Sequence, residues 1–139
     1  SDKVFTIDTA HENTPNGAAV LVPQKANADF IDMTGYSDIF IAILPSQTGN
    51  MEIKAIMGPD TNTFANLTPV NAAATLRIWE DQSATSESAV NQSAEALTAN
   101  VWNIYSIQGR LAGQKNLQFK ITNNTGNTSD IVFAYLRVA

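Results

Sequence analysis

The stretch FIDMTGYSDIFIAILPSQTGNMEIKAIMGPD, from Phe30 to Asp60, decides the fold. Phe30, Ile31 and Met33 supply a strand that stops at Thr34-Gly35-Tyr36-Ser37-Asp38, where Gly35 can take a positive φ at no steric cost. Ile39 to Leu44 then runs without a polar residue, so both pleat faces are apolar: Ile39, Ile41 and Ile43 on one, Phe40, Ala42 and Leu44 on the other. A half-solvated antiparallel strand would alternate with polar residues. This one therefore predicts cover on both sides, by an opposing sheet on one face and by a loop or a neighbouring subunit on the other. Pro45 to Asn50 closes a hairpin, and Met51, Ile53, Ala55 and Met57 alternate with Glu52 and Lys54 until Gly58-Pro59-Asp60 ends the strand.

Working outward, Val4 to Ile7 alternates weakly and leads into a loop marked by Asn, Thr, Pro and Gly, and Ala18 to Val22 is a short apolar run ended by Pro23. Thr61 to Thr75 reads as a packed loop anchored by Phe64 and Leu67, and Leu76 to Glu80 as a short strand. Asp81 to Asn100 has no large apolar stripe, and its Ser and Thr compete with a helix by bonding their own backbone. It reads as a long loop with at most one helical turn around Ala89 to Leu97. Val101 to Ile107, Leu117 to Thr122 and Ile131 to Val138 are strands, the last two joined by a hairpin at Asn123 to Asn127. About eight strands with faces that need mutual cover predict an all-β, two-sheet antiparallel β-sandwich, jelly-roll-like. An immunoglobulin-like sandwich is the alternative, without its cysteine pair. Residues 17–139 form the single predicted domain, and residues 1–16 an N-terminal arm or short edge strand.

The 139 residues are enough for one domain with its own core. Hydrophobic residues make up 44% and charged residues only 15%, so Ser, Thr, Asn and Gln must cover much of the surface, which suits a protein that meets other protein surfaces. The net charge is −5 and no Lys or Arg run exceeds one residue, which argues against nucleic acid as a partner. There is no cysteine, so thiolate metal sites, disulfides and a cysteine nucleophile are excluded. No apolar run approaches the ~20 residues of a membrane helix, and the first residues resemble neither a signal nor a transit peptide; a soluble protein with no membrane partner is expected.

Chemistry-bearing patterns are sparse. His11 is the single histidine, in a loop-like context, and offers neither a metal set nor a triad by itself. Asp60-Thr61-Asn62-Thr63 opens like a calcium loop but lacks the later Gly and Glu, and turn chemistry explains it better. Glu80 and Asp81 are adjacent in a strand and point to opposite faces, so they cannot share a substrate proton. No catalytic residue, cofactor or metal is expected. Trp79 and Trp102, with Tyr36, Tyr105 and Tyr135, could form a sugar-stacking platform, though a β-sandwich commonly uses such rings in its core or interfaces. Four N-glycosylation patterns, beginning at Asn66, Asn91, Asn123 and Asn127, are the chance yield of an Asn-, Ser- and Thr-rich chain.

The segments IDMTGYSDIFIAIL and MEIKAIMGPDTNTF, with the ending ALTANVWNIYSIQGRLAGQKNLQFKITNNTGNTSDIVFAYLRVA, resemble small bacteriophage virion proteins of the capsid decoration, or cement, type. The resemblance leaves Thr61 to Asn100 largely uncovered and brings no catalytic residues. It implies a jelly-roll-like sandwich that assembles as a homotrimer on the outer capsid surface, bridges capsomers and has the major capsid protein as its partner. The expected self-association residues are Phe40, Ile41, Ala42, Ile43 and Leu44, and the arm expected to reach the shell carries Val4, Phe5, Ile7 and His11. The alternative is a glycan-binding module of a phage head or tail fibre that uses Trp79 or Trp102.

Overall fold

The computed structural model of the chain describes residues 4–8, 10–23, 30–58, 68–70, 76–79, 88–89, 95–107 and 116–139. These hold thirteen strands and no helix: β1 (Thr6–Ile7), β2 (His11–Thr14), β3 (Ala19–Val22), β4 (Ile31–Asp32), β5 (Asp38–Pro45), β6 (Gly49–Gly58), β7 (Thr68–Val70), β8 (Leu76–Trp79), β9 (Ser88–Ala89), β10 (Glu95–Leu97), β11 (Asn103–Ile107), β12 (Asn116–Asn124) and β13 (Ser129–Val138).

Eight of the strands make two antiparallel layers. In the first, β2, β13, β5 and β11 lie side by side, β1 also pairs with β13, and β8 and β9 continue beyond β11. In the second, the order is β10, β6, β12, β3, with β4 against β12 and β7 against β6. The connections β2 to β3, β5 to β6, β10 to β11 and β12 to β13 each pass from one layer to the other, and the registers place all four at the same end. That pattern is an eight-stranded jelly roll, as the turn spacing predicts. The five remaining strands are two to four residues long.

The core lies between the layers and follows from pleat alternation. Ile39, Ile41 and Ile43 of β5 are fully buried and face Met51 and Ile53 of β6 and Leu117, Phe119 and Ile121 of β12 in one apolar cluster. Enclosing each such side chain contributes about 1.5–3 kcal/mol. Phe119 and Phe133 close the gap between layers with ring centroids 5.6 Å apart.

Six stretches depart from their sequence expectation. Pro45 to Asn50 and Asn123 to Asn127, expected to close hairpins, instead carry the chain from one layer to the other, and Thr68–Val70 and Ser88–Ala89, expected within loops, are short strands on β6 and β8. His11–Thr14, expected as loop, is a strand on β13, and Glu95–Leu97, expected as loop or helical turn, is a strand on β6 with Glu95 opposite Met51. Leu97 is the one large apolar residue of residues 81–100 and is 1% exposed. Burying it on the edge of β6 outweighs the weak local preferences of its Ala- and Ser-rich neighbours. The loop anchors Phe64 and Leu67, the Asp60 to Thr63 turn, the Glu80 and Asp81 pair, and the patterns beginning at Asn66 and Asn91 lie outside the described residues.

Candidate interaction surface

The outward face of the first layer is built by register. In antiparallel pairing, residues opposite each other share a face. Val132, Ala134 and Leu136 of β13 stand opposite Leu44, Ala42 and Phe40 of β5, and Ile104 of β11 stands on the other side of Ala42. Ile7 of β1 adds to the row at Ala134. The core takes the alternate residues, so this set looks away from the second layer. Phe40, Leu44, Val132, Leu136 and Ile104 are half-buried, whereas Ala42 and Ala134 are buried among them. None of these residues is charged. The outward face of the second layer differs, with Glu52, Lys120, Thr122 and Asn124 alternating with core residues.

The expected self-association residues divide accordingly. Ile41 and Ile43 are 0% exposed inside the core and Ala42 is 3% exposed, which corrects the expectation that all five present a surface. Phe40 and Leu44 remain. For Ile41 and Ile43 the physical reason is the two-residue period of the strand, which sends every second side chain into the sandwich, whereas Ala42 is on the outward face and is covered there by its larger neighbours.

The N-terminal segment is drawn onto the edge of this layer. Thr6 and Ile7 pair with Tyr135 and Ala134, and the Asp8 N–H donates to the Phe133 carbonyl at 2.7 Å. Val4, Phe5 and Ile7 are exposed. His11 lies opposite Ile131, its Nε2 3.6 Å from Asp8 Oδ2 and without a hydrogen-bond partner. The Asn13 N–H donates to Asp130 Oδ1 at 2.9 Å.

The end where the four connections cross is held by side-chain amides. Asn123 Nδ2 donates to the carbonyls of Thr14 (2.9 Å) and Asn127 (2.7 Å), and its Oδ1 accepts from the Thr125 N–H (3.0 Å) and Oγ1 (2.8 Å). Asn103 Nδ2 donates to the carbonyls of Ile43 (3.1 Å), Thr98 (3.0 Å) and Val101 (3.0 Å), while its Oδ1 accepts from the Thr98 N–H at 3.1 Å. The Asn100 N–H reaches the Pro45 carbonyl at 2.8 Å, and the Ala99 N–H reaches Thr48 Oγ1 at 2.9 Å. Asn100 sits at φ 61°, a left-handed conformation that Asn tolerates. This braced turn carries Val101, 49% exposed, and Trp102, 39% exposed. Trp102 immediately precedes β11, next to the Asn103–Ile43 pair. Trp79 lies opposite Ile104 on the neighbouring strand.

Inside the sandwich, Tyr105 is fully enclosed and its hydroxyl has no partner at hydrogen-bonding geometry. Burial first, and then the negative charge of Glu95, push this phenol well above its ordinary value. At the opposite end of the layer, Arg137 stacks over Tyr36 at 4.7 Å and Tyr135 at 5.8 Å, and its Nη1 donates to the Asp32 carbonyl at 2.8 Å. Among the described residues no three His, Cys, Asp or Glu side chains group as metal ligands, and no helix is long and apolar enough to cross a membrane.

Val132, Leu136 and Ile104 were not singled out from sequence. The signal was present: IVFAYL at Ile131 to Leu136 is apolar on both faces, just as IFIAIL is at Ile39 to Leu44. What the sequence does not print is that these two strands are neighbours.

No protein-family model matches the chain, and no curated protein matches it. Among solved structures it is similar to the SPBc2 prophage-derived protein YomS, at 13% sequence identity and a TM-score of 0.45, over 96% of each chain.

Proposed function

We propose that the chain is a structural, non-catalytic virion protein that decorates the outer surface of a phage capsid, contacts the major capsid protein and stabilises the head by bridging capsomers. The observation that carries this reading is the apolar patch of Phe40, Leu44, Val132, Leu136 and Ile104 on the outward face of the first layer, where Asp38 joins only at the far end opposite Val138, set against Glu52, Lys120, Thr122 and Asn124 on the outward face of the second. A face of that kind serves a protein contact, because leaving it in water forgoes about 25 cal/mol for every Å² of apolar area. The low charge content and the resemblance to small phage decoration proteins support the same reading, and the resemblance implies a homotrimer. Mass spectrometry of purified virions, together with head heat-stability measured with and without added protein, tests it. Absence from virions and no effect on heads removes it.

A second reading follows from Trp102. An indole 39% exposed on a hydrogen-bonded turn offers a flat face to a sugar ring, with the amide of Asn100 nearby in sequence. Glycan-array binding by the intact chain that disappears in Trp102→Ala would favour this glycan-binding module of a head or tail fibre. An empty array with the wild-type chain removes it.

A further inference from the structure

We infer that Asn16–Gly17, in the turn between β2 and β3, is a site of spontaneous deamidation, and that the neighbouring β12–β13 turn holds the reaction in check by hydrogen-bonding both of its reacting groups. The site lies at the end of the sandwich where the chain passes between layers, so it does not depend on what the outward face binds.

The chemistry is set by sequence. Asn16 is the one asparagine of the chain that is followed by glycine. In the reaction the Gly17 nitrogen gives up its proton to hydroxide and attacks Asn16 Cγ, a new N–Cγ bond closes a succinimide ring, and the bond from Cγ to Nδ2 breaks as ammonia leaves. Water then opens the ring at either carbonyl and leaves aspartate or isoaspartate at position 16. One water is consumed and one ammonia released, with no oxidation or reduction. Glycine favours ring closure because it has no side chain to obstruct it, and nothing lies within 4 Å of where a Cβ would stand on Gly17. Both residues are exposed, so water and hydroxide reach them.

The restraint is set by the fold. The Gly17 N–H donates to the Asn123 carbonyl at 2.6 Å, so the proton that has to leave is held by an acceptor. Asn16 Oδ1 accepts from the Gly126 N–H at 2.8 Å, so the side chain that has to close the ring is tethered to the other turn. That second bond acts in two directions, because a donor on Oδ1 also stabilises the oxyanion formed on attack. The first bond decides, since no attack begins while the nitrogen keeps its proton. Two further bonds fasten the same segments together: the Asn123 N–H donates to the Ala18 carbonyl at 2.9 Å, and Asn123 Nδ2 donates to the Thr14 carbonyl at 2.9 Å. The groups on Asn16 and Gly17 are therefore released together, by a local opening that separates the turns, and deamidation follows the frequency of that opening. An isoaspartate at position 16 adds a methylene to the backbone before Gly17 and takes its N–H out of line with Asn123, so the modified end of the sandwich stays loosened.

Peptide-mapping mass spectrometry of the full chain, incubated at mildly alkaline pH, is the test, because it reads the conversion of amide to acid at each asparagine. In denaturing urea Asn16 should convert ahead of every other asparagine, and in the folded wild type it should convert about tenfold or more slowly than that. Asn123→Ala, which unfastens the turn, should speed the folded-state reaction by about tenfold. Ile41→Ala, which weakens the core in the middle of β5, should leave the rate nearly unchanged. A melting curve for each variant checks that it is folded at the incubation temperature. Asn16→Gln should abolish the conversion in this peptide, which fixes its position. No conversion of Asn16 in the unfolded chain removes the site, and equal rates in the folded and unfolded wild type remove the restraint. A folded-state rate in Asn123→Ala no faster than in Ile41→Ala takes the restraint away from the turn and also overturns the inference.

Discussion

Gly49 has φ +148°, and a Cβ placed on it would stand 2.9 Å from the Thr125 Cα, so the β5–β6 and β12–β13 turns touch backbone to side. Gly49→Ala must push that backbone aside in a conformation that L residues rarely adopt, and should cost about 2 kcal/mol, read as a lower urea midpoint. Asn123 is as demanding for a different reason. Its amide is fully buried and makes four hydrogen bonds, so Asn123→Ala takes a donor from the Thr14 and Asn127 carbonyls, the latter keeping only Thr125 Oγ1, and should destabilise by about 2–3 kcal/mol in the same assay. Tyr105 gives a pH signature. Its folded-state pKa is raised above the ordinary 10.0, so the folded chain keeps a proton that the unfolded chain releases. Stability from this residue is full below about pH 10 and falls above it, by up to about 1.4 kcal/mol per pH unit. Urea titrations at rising alkaline pH should show that slope in the wild type, and Tyr105→Phe should flatten it. None of these three roles was legible in sequence, because Gly49 meets the distant Thr125, Asn123 reaches back to Thr14, and Tyr105 is shifted first by its enclosure between the layers and then by Glu95.

At the scale of the element, β5 separates what a periodicity argument can and cannot see. That both of its faces are apolar was plain from IFIAIL, and both are in fact covered or half-covered. Which face looks inward was not plain, because a strand with two apolar faces has no polar side to mark the solvent. The structure assigns Ile41 to the core and Leu44 to the outward face. Ile41→Ala should therefore cost about 2–5 kcal/mol in thermal or chemical unfolding, whereas Leu44→Ala should cost well under half of that. Equal costs at the two positions would mean that the faces have been assigned wrongly. β10 shows the opposite failure. Three residues with a single large side chain carry too little local signal to announce a strand, and the edge of β6 supplies the structure that the segment lacks.

For the molecule as a whole, four connections tie the two layers together at one end, β2 secures the edge of the first layer, and residues 4–8 ahead of it are attached by little. β1 is a two-residue ladder on β13, and its outward side chains are exposed in the single chain. Short terminal ladders of this kind open locally at almost no free-energy cost, whereas the central strands β5, β6, β12 and β13 should open only with the whole fold. The Asp8 amide, bonded to the Phe133 carbonyl at 2.7 Å, reports on that attachment. Hydrogen exchange should accordingly be fast at Asp8 and slow at amides of β12, and the destabilising Ile41→Ala should speed exchange in β12 while leaving Asp8 almost unchanged, because the one opens locally and the other only with the whole fold. Exchange at Asp8 as slow as in β12 would make residues 4–8 an integral part of the sandwich rather than a segment laid on its edge.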